Sequence, residues 1–222
     1  MISTCQSPIT AVEKLLGSIE GVKVLFDPPA SGPSDGQFVP WSESSLDPAI
    51  TRSTSKLYPA GLFIHQHQAI ESVVAGRNTV VATRTSSGKS LTFALPALHS
   101  ACRDSNATAL FLYPQKALAG DQELKLNELV DSIEPLRKTS QHESFWIGRY
   151  DGSTIPEDRQ TIRSRARMLL TNPDMLHLGI LQHHNSHWRR FFANLKVVAI
   201  DECHEYRGVF GTGVAHVLEA IR

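Results

Sequence analysis

The sequence predicts a doubly wound α/β fold, a mostly parallel sheet with helices on both faces, preceded by an N-terminal helix and loop extension. Short apolar runs at 79–82, 109–113, 168–170 and 197–200 are continuous rather than alternating, as strands buried on both faces require. Amphipathic stretches lie between them, and a succession of β and α units implies parallel strands joined by right-handed crossovers. The length of 222 residues, with 41% apolar and 20% charged residues, suffices for a packed core without a disulfide or metal staple.

Taken in order, Ser7-Pro8 is a helix start, with Ser as cap and Pro at the first helical position; Val12, Leu15, Leu16 and Ile19 follow at helical spacing, and Gly21 closes the helix. Residues 27–36 are dense in Pro, Gly and Ser and read as a linker. Residues 1–56 are therefore expected to form the extension and 57–222 the α/β domain. Within the latter, helices are expected over 66–75, 89–100, 116–130, 156–165 and 213–221. In such sheets ligands sit at the carboxyl ends of the strands.

Lys+Arg 22 balance Asp+Glu 22, and the pI is near 7.2, so no bulk attraction to nucleic acid or membrane exists and any such contact must be local. Cys5, Cys102 and Cys203 are odd in number and scattered, a pattern of reduced thiols in an intracellular protein. The expected setting is the nucleus of a eukaryote or the cytoplasm of a bacterium. The start lacks a basic and then apolar leader, and no apolar run approaches the roughly 20 residues of a membrane span. No membrane partner is expected.

The strand at 79–82 leads into Thr83-Arg84-Thr85-Ser86-Ser87-Gly88-Lys89-Ser90. Gly88 lets the backbone turn its N–H groups inward, Lys89 can reach the β- and γ-phosphates, and the Ser90 hydroxyl can hold Mg²⁺. The helix starting there presents the positive end of its dipole. Thr83 stands where the strict phosphate-loop pattern has Gly. The apolar strand ending at Ile200 is followed by Asp201-Glu202-Cys203-His204. Asp201 suits Mg²⁺, and Glu202 suits a water that attacks the phosphate. ATP and Mg²⁺ are thus the expected cofactors, with Lys89, Asp201 and Glu202 as the catalytic set. Neither Gly-x-Ser-x-Gly nor Gly-x-Gly-x-x-Gly occurs, which excludes a serine-hydrolase elbow and a Rossmann dinucleotide site.

These residues resemble the superfamily 2 helicases of DEAD/DEAH type over roughly 57–222, which implies a RecA-like (P-loop NTPase) lobe. Thr85, Ser86, Ser87, Gly88, Lys89 and Ser90 match the family's first motif, and Asp201-Glu202-Cys203-His204 the second. Gln66 resembles the glutamine that reads adenine. Tyr113-Pro114-Gln115-Lys116-Ala117-Leu118 and Thr171-Asn172-Pro173-Asp174-Met175-Leu176 are similar to the segments that grip a sugar–phosphate backbone. The resemblance therefore implies nucleic-acid contacts at Pro114, Lys116, Gly152 and Thr171, and a coupling role for His204.

A narrower resemblance, carried by Tyr150 to Thr154, Leu170 to Leu178, His183-His184, Trp188 and Tyr206 to Gly211, is to MrfA-type, RecQ-related DNA-repair helicases. It implies movement 3′ to 5′ on single-stranded or tailed DNA. Nothing resembling the Ser-Ala-Thr motif, a second RecA-like lobe or the family's cysteine-rich metal site follows motif II in this sequence. The expectation is a lobe that binds nucleotide and is nearly idle alone. Two alternatives stand beside it: a DEAD-box RNA helicase lobe, and a nonenzymatic nucleotide-binding module.

Arg159, Arg163, Arg165, Arg167, Arg189 and Arg190 read as a solvated helix face, because Glu157 and Asp158 sit among them. His177, His183, His184 and His187 read as solvated or capping residues, and no zinc is expected in this segment, since structural zinc commonly takes Cys ligands.

Overall fold

The computed structural model describes residues 22–26, 37–83, 88–140 and 146–205. The expected N-terminal helix, the 27–36 linker, Thr85, Ser86 and Ser87 of the phosphate loop, the 206–211 segment and the helix at 213–221 lie outside the described residues. The chain divides into two compact units, 1–96 and 97–222, at Pro96 within a helix (Ser90–Arg103).

In the first unit, strand β1 (Val22–Phe26) pairs in parallel with β4 (Asn78–Ala82), Val24 opposite Val80. The strand that feeds the phosphate loop thus takes its neighbour from the N-terminal segment. β2 (Phe38–Val39) and β3 (Leu62–Phe63) form a short antiparallel pair. Helix α1 (Pro48–Leu57) begins where Asp47 accepts the Ala49 N–H at 2.9 Å and Pro48 occupies the first helical position, which satisfies one orphan donor and pre-sets the backbone. Helix α2 (Ile64–Val74) packs Ala69 and Ile70 into a core shared with Ile50 and Leu62, all fully buried.

The second unit is built on a four-stranded parallel sheet in the order β6-β7-β5-β8, with β5 at Thr108–Leu112, β6 at Ile147–Arg149, β7 at Met168–Thr171 and β8 at Leu195–Ile200. This is the expected RecA-like α/β arrangement. β5 and β7 are buried along their whole length, as their unbroken apolar runs require. β8 differs from that expectation: Lys196 and Val198 are exposed while Ala199 is buried, because among the described residues it lies at the edge of the sheet.

Helix α3 (Ser90–Arg103) runs across the division, and α4 (Lys116–Ser132) and α5 (Glu134–Ser140) follow β5. Helix α6 (Pro156–Arg165) lays Ile162 against β6. Gly148 is required there, since a Cβ would stand 2.9 Å from Ile162 Cγ2 and 3.2 Å from Ala166 Cβ. Leu110, Leu112, Tyr150, Leu169, Trp188 and Phe191 form the apolar heart, with the Tyr150 and Trp188 rings edge to face at 5.0 Å. Among the described residues no helix is long and apolar enough to cross a membrane.

Candidate functional site

The described residues that flank the phosphate loop are in the first unit. β4 ends at Ala82, Thr83 follows, and the chain reaches Gly88 at φ +70° before Lys89 and the first turn of α3. That left-handed backbone favours glycine, and a Cβ at Gly88 would also stand 2.5 Å from Gln66 Nε2. Lys89 Nζ donates to the Thr83 carbonyl at 3.2 Å. Ser90 opens a fourteen-residue helix, whose first N–H groups lack intrahelical partners and suit phosphate oxygens.

Gln66, 3% exposed, holds this region together. Its Oε1 accepts the Phe63 N–H at 3.0 Å, and its Nε2 donates to the Gly88 carbonyl at 2.9 Å. The residue that the resemblance assigns to adenine thus also ties α2 to the phosphate loop. Beside it, Phe38 and Phe63 stack at 4.5 Å, and Phe63 and His65 at 5.7 Å.

The acidic residues that follow β8 are in the second unit. Asp201 extends the β5–β8 ladder, donating its N–H to the Leu112 carbonyl at 3.0 Å. Its Oδ1 accepts the Glu202 N–H at 2.9 Å. Glu202 has φ +49°, a left-handed conformation that costs a residue with a Cβ roughly 1–2 kcal/mol. His204 follows in the 3-10 turn Cys203–Glu205, and Cys203 is exposed. The Asp201 carboxylate is an oxygen donor of the kind that suits a hard ion such as Mg²⁺.

Parallel pairing brings the carboxyl ends of β6, β7, β5 and β8 side by side. Pro114 is half-buried and Lys116 is the first residue of α4, while Gly152 is exposed on the turn after β6. Thr171 is 2% exposed: its hydroxyl donates to the Tyr150 carbonyl at 2.6 Å, and its own carbonyl accepts the Tyr113 N–H at 3.0 Å. The side chain therefore braces the edge from within.

The turn at Gly152 is closed by Asp151, which accepts the Ser153 N–H at 2.7 Å, and by Thr154, whose hydroxyl accepts the Asp151 N–H at 2.9 Å. Arg149 lies between two carboxylates, with Nε 3.5 Å from Asp151 and Nη1 3.7 Å from Glu123 of α4. Burial raises the Glu123 carboxyl above its ordinary range; the Arg149 charge opposes this and the Asp151 charge adds to it.

Arg149 carries no assignment in the sequence reading and belongs here. Tyr113, read there only as the first residue of a segment similar to a backbone-gripping motif, is 2% exposed directly after β5. Burial first, and the Asp201 charge second, push its phenol far above the usual value.

Four of the arginines are committed to the fold. Arg159 Nε donates to the Thr154 carbonyl at 3.1 Å, and Arg163 donates twice to the Tyr150 hydroxyl, at 3.0 and 2.5 Å. Arg167 Nε binds the Ala107 carbonyl at 3.1 Å, and Arg190 Nη2 the Ala166 carbonyl at 2.6 Å. The solvated face expected from the sequence is thus partly a set of structural braces. His183 and His187 are exposed with ring centroids 5.4 Å apart, and among the described residues no group of three or more His, Cys, Asp or Glu could hold a metal ion.

Comparison with known proteins places these features. The DEAD/DEAH box helicase family matches residues 64–222. The chain is 39% identical over 212 residues to the uncharacterized ATP-dependent helicase YprA of Bacillus subtilis, covering 96% of this chain and 27% of that protein. It is 40% identical over 159 residues to the ATP-dependent helicase HRQ1 of Saccharomyces cerevisiae, covering 72% of this chain and 14% of that one. The crystal structure of the helicase MrfA bound to DNA and AMPPNP superimposes with a TM-score of 0.72 at 42% identity, over 84% of this chain and 25% of that chain. The chain thus spans about a quarter or less of the length of these relatives. With the parallel sheet, the turn at Gly88 and the acidic end of β8 already in place, the match over 64–222 settles the assignment: the chain belongs to the DEAD/DEAH box helicase family.

Proposed function

We propose that this chain is the ATP-binding lobe of an ATP-dependent DNA helicase, working within a longer protein that carries a second RecA-like lobe. The observation that carries the reading is the family match across 64–222 together with Lys89 at the head of α3, its Nζ on the Thr83 carbonyl. The likeness to MrfA, solved with DNA and AMPPNP, supports DNA as the nucleic acid. The MrfA-type resemblance supports movement 3′ to 5′ and work in DNA repair. The odd number and scattered spacing of Cys5, Cys102 and Cys203 support an intracellular setting.

In this reading the backbone N–H groups around Gly88 and the first turn of α3 cradle the phosphates. Lys89 leaves the Thr83 carbonyl for the β- and γ-phosphates. Ser90 and Asp201 hold Mg²⁺, and Gln66 meets the adenine edge while keeping α2 on the loop. A bound Mg²⁺ would supply neutralisation of the charge that develops on the phosphates. Glu202 orients the attacking water and accepts its proton. No covalent intermediate is needed, because positioning and charge neutralisation carry phosphoryl transfer. Pro114, Lys116 and Gly152 line the edge for one nucleic-acid strand, Thr171 braces that edge from within, and His204 links the nucleotide side to it.

The test is equilibrium binding of a fluorescent ATP analogue with Mg²⁺. Lys89→Ala removes a charge-assisted contact of about 1.5–3 kcal/mol and weakens binding about 10- to 100-fold, whereas Glu202→Gln keeps the analogue bound and blocks turnover in the longer protein. Unchanged binding by Lys89→Ala overturns the proposal. Stronger competition by RNA than by DNA of the same sequence moves the assignment to an RNA helicase.

A further inference from the structure

Resting on the proposed function, we infer that Arg149 is a further phosphate-binding residue of the nucleic-acid edge, held by Glu123 until a strand displaces that carboxylate. Arg149 is the last residue of β6, three residues before Gly152 of the exposed turn. Its guanidinium lies against α4. A Cβ at Gly120 would stand 3.1 Å from Nη1, and Glu123 Oε2 is 3.7 Å from the same atom. Positions 116, 120 and 123 follow the i, i+4, i+7 row along one face of that helix. The guanidinium therefore sits between the Gly152 turn and the row that begins at Lys116, two places already assigned to the strand.

The contacts of Arg149 are unlike those of the four bracing arginines. Arg159, Arg163, Arg167 and Arg190 donate to oxygen acceptors at 2.5–3.1 Å. Arg149 stands 3.5 Å from Asp151 and 3.7 Å from Glu123, both longer than the roughly 2.7–2.9 Å of a charge-assisted hydrogen bond. Its side chain stays 39% exposed and that of Glu123 29%. A pair this long and this open adds little stability, and burial keeps the Glu123 carboxyl above its ordinary range in spite of the Arg149 charge. Glycine inside a helix is destabilising relative to alanine, and what Gly120 admits is the guanidinium.

A guanidinium presents its N–H donors in a planar fork that matches phosphate oxygens. Asp151 is 2% exposed, and its Oδ1 holds the Ser153 N–H at 2.7 Å, so it stays with the turn and fixes Nε. Glu123 is the partner that yields, being the more exposed of the two carboxylates. A phosphate at the edge takes its place on Nη1. Glu123 thus competes with the nucleic acid for one cation, and sets how tightly the strand is held without touching it.

The experiment measures the affinity of this chain for fluorescein-labelled oligo(dT) between about 50 and 200 mM salt. Arg149→Gln is expected to weaken binding about 5-fold or more and to make the slope of log K against log[salt] shallower by about 0.7, one single-strand phosphate contact. Glu123→Gln is expected to tighten binding about 2- to 5-fold, a gain that vanishes in the Arg149→Gln background. A merely structural role moves the unfolding midpoint and leaves the slope. Arg149→Gln with the wild-type slope overturns the inference, as does a gain from Glu123→Gln that survives the loss of Arg149. If Arg149→Gln does not fold, Glu123→Gln decides alone, and an affinity no higher than wild type overturns the inference. A wild-type chain that does not bind oligo(dT) overturns the DNA contacts of the proposed function and the inference with them; if it binds, those contacts stand whatever the variants do.

Discussion

Replacing Thr171 by Val isolates one hydroxyl in the brace that holds the carboxyl edge. The two side chains are close in shape, so the main change is chemical: the donor to the Tyr150 carbonyl, at 2.6 Å, is removed. Thr171 is 2% exposed and Tyr150 fully buried, so no water readily replaces the lost partner. Leaving one buried acceptor unsatisfied costs about 1–3 kcal/mol. For a chain of this size each kcal/mol moves the midpoint by about 2–4 °C. The expected result is a loss of about 2 kcal/mol in urea titration and a fall of about 4–8 °C on heating. Thr171→Val within about 0.5 kcal/mol of wild type would refute the reasoning, because a hydroxyl that faced solvent or awaited a phosphate would show that indifference.

Other consequences are as concrete. Gly148→Ala places a methyl 2.9 Å from Ile162 Cγ2 and 3.2 Å from Ala166 Cβ, and overpacking of this kind costs about 1–3 kcal/mol; a neutral effect in denaturation would mean that α6 yields freely. Glu71 reports on acid. Partial burial pushes its carboxyl upward, but hydrogen bonds from the Ser45 hydroxyl and N–H and the Ser44 hydroxyl, with the His67 charge, outweigh burial, and the net shift is downward. A lowered folded-state value adds stability above the unfolded carboxylate value, about 4.3 for Glu, and that increment is lost as pH falls through the folded value. Glu71→Gln should therefore lose stability at neutral pH and close the gap to wild type below about pH 4; a gap independent of pH would contradict this origin.

The parts of the fold legible in the sequence are those fixed locally or by strong apolar runs. α6 has the bounds that Pro156 and its first-turn acids imply, and β5 and β7 follow their aliphatic runs to within a residue or two. β1 was not legible, because Val22–Phe26 is a strand only through its parallel partner β4, more than fifty residues away. α1 was missed because most of its residues are polar: Asp47 and Pro48 start it and only Ala49, Ile50 and Thr54 are buried. β6 is three residues long with a central glycine, too short to show a period.

The candidate site divides in the same way. Gly88, Lys89 and Ser90 were legible because phosphate binding needs those residue types at that spacing. Asp201 and Glu202 were legible from the strand before them. The inward role of Thr171, the tie from Gln66 to Gly88 and the placement of Tyr113 beside Asp201 depend on which strands are neighbours, and no spacing along the chain reveals that.

The central claim is that Ser90 and Asp201, far apart in the sequence, serve one Mg²⁺ on one triphosphate. A double-mutant cycle on binding of the Mg²⁺ form of AMPPNP, with Ser90→Ala, Asp201→Asn and the pair, tests it most directly. Residues that share one ion interact, so the pair should lose less than the sum of the single losses, with a coupling of about 1 kcal/mol or more. Losses that add to within about 0.3–0.5 kcal/mol, the behaviour of independent sites, would contradict the account.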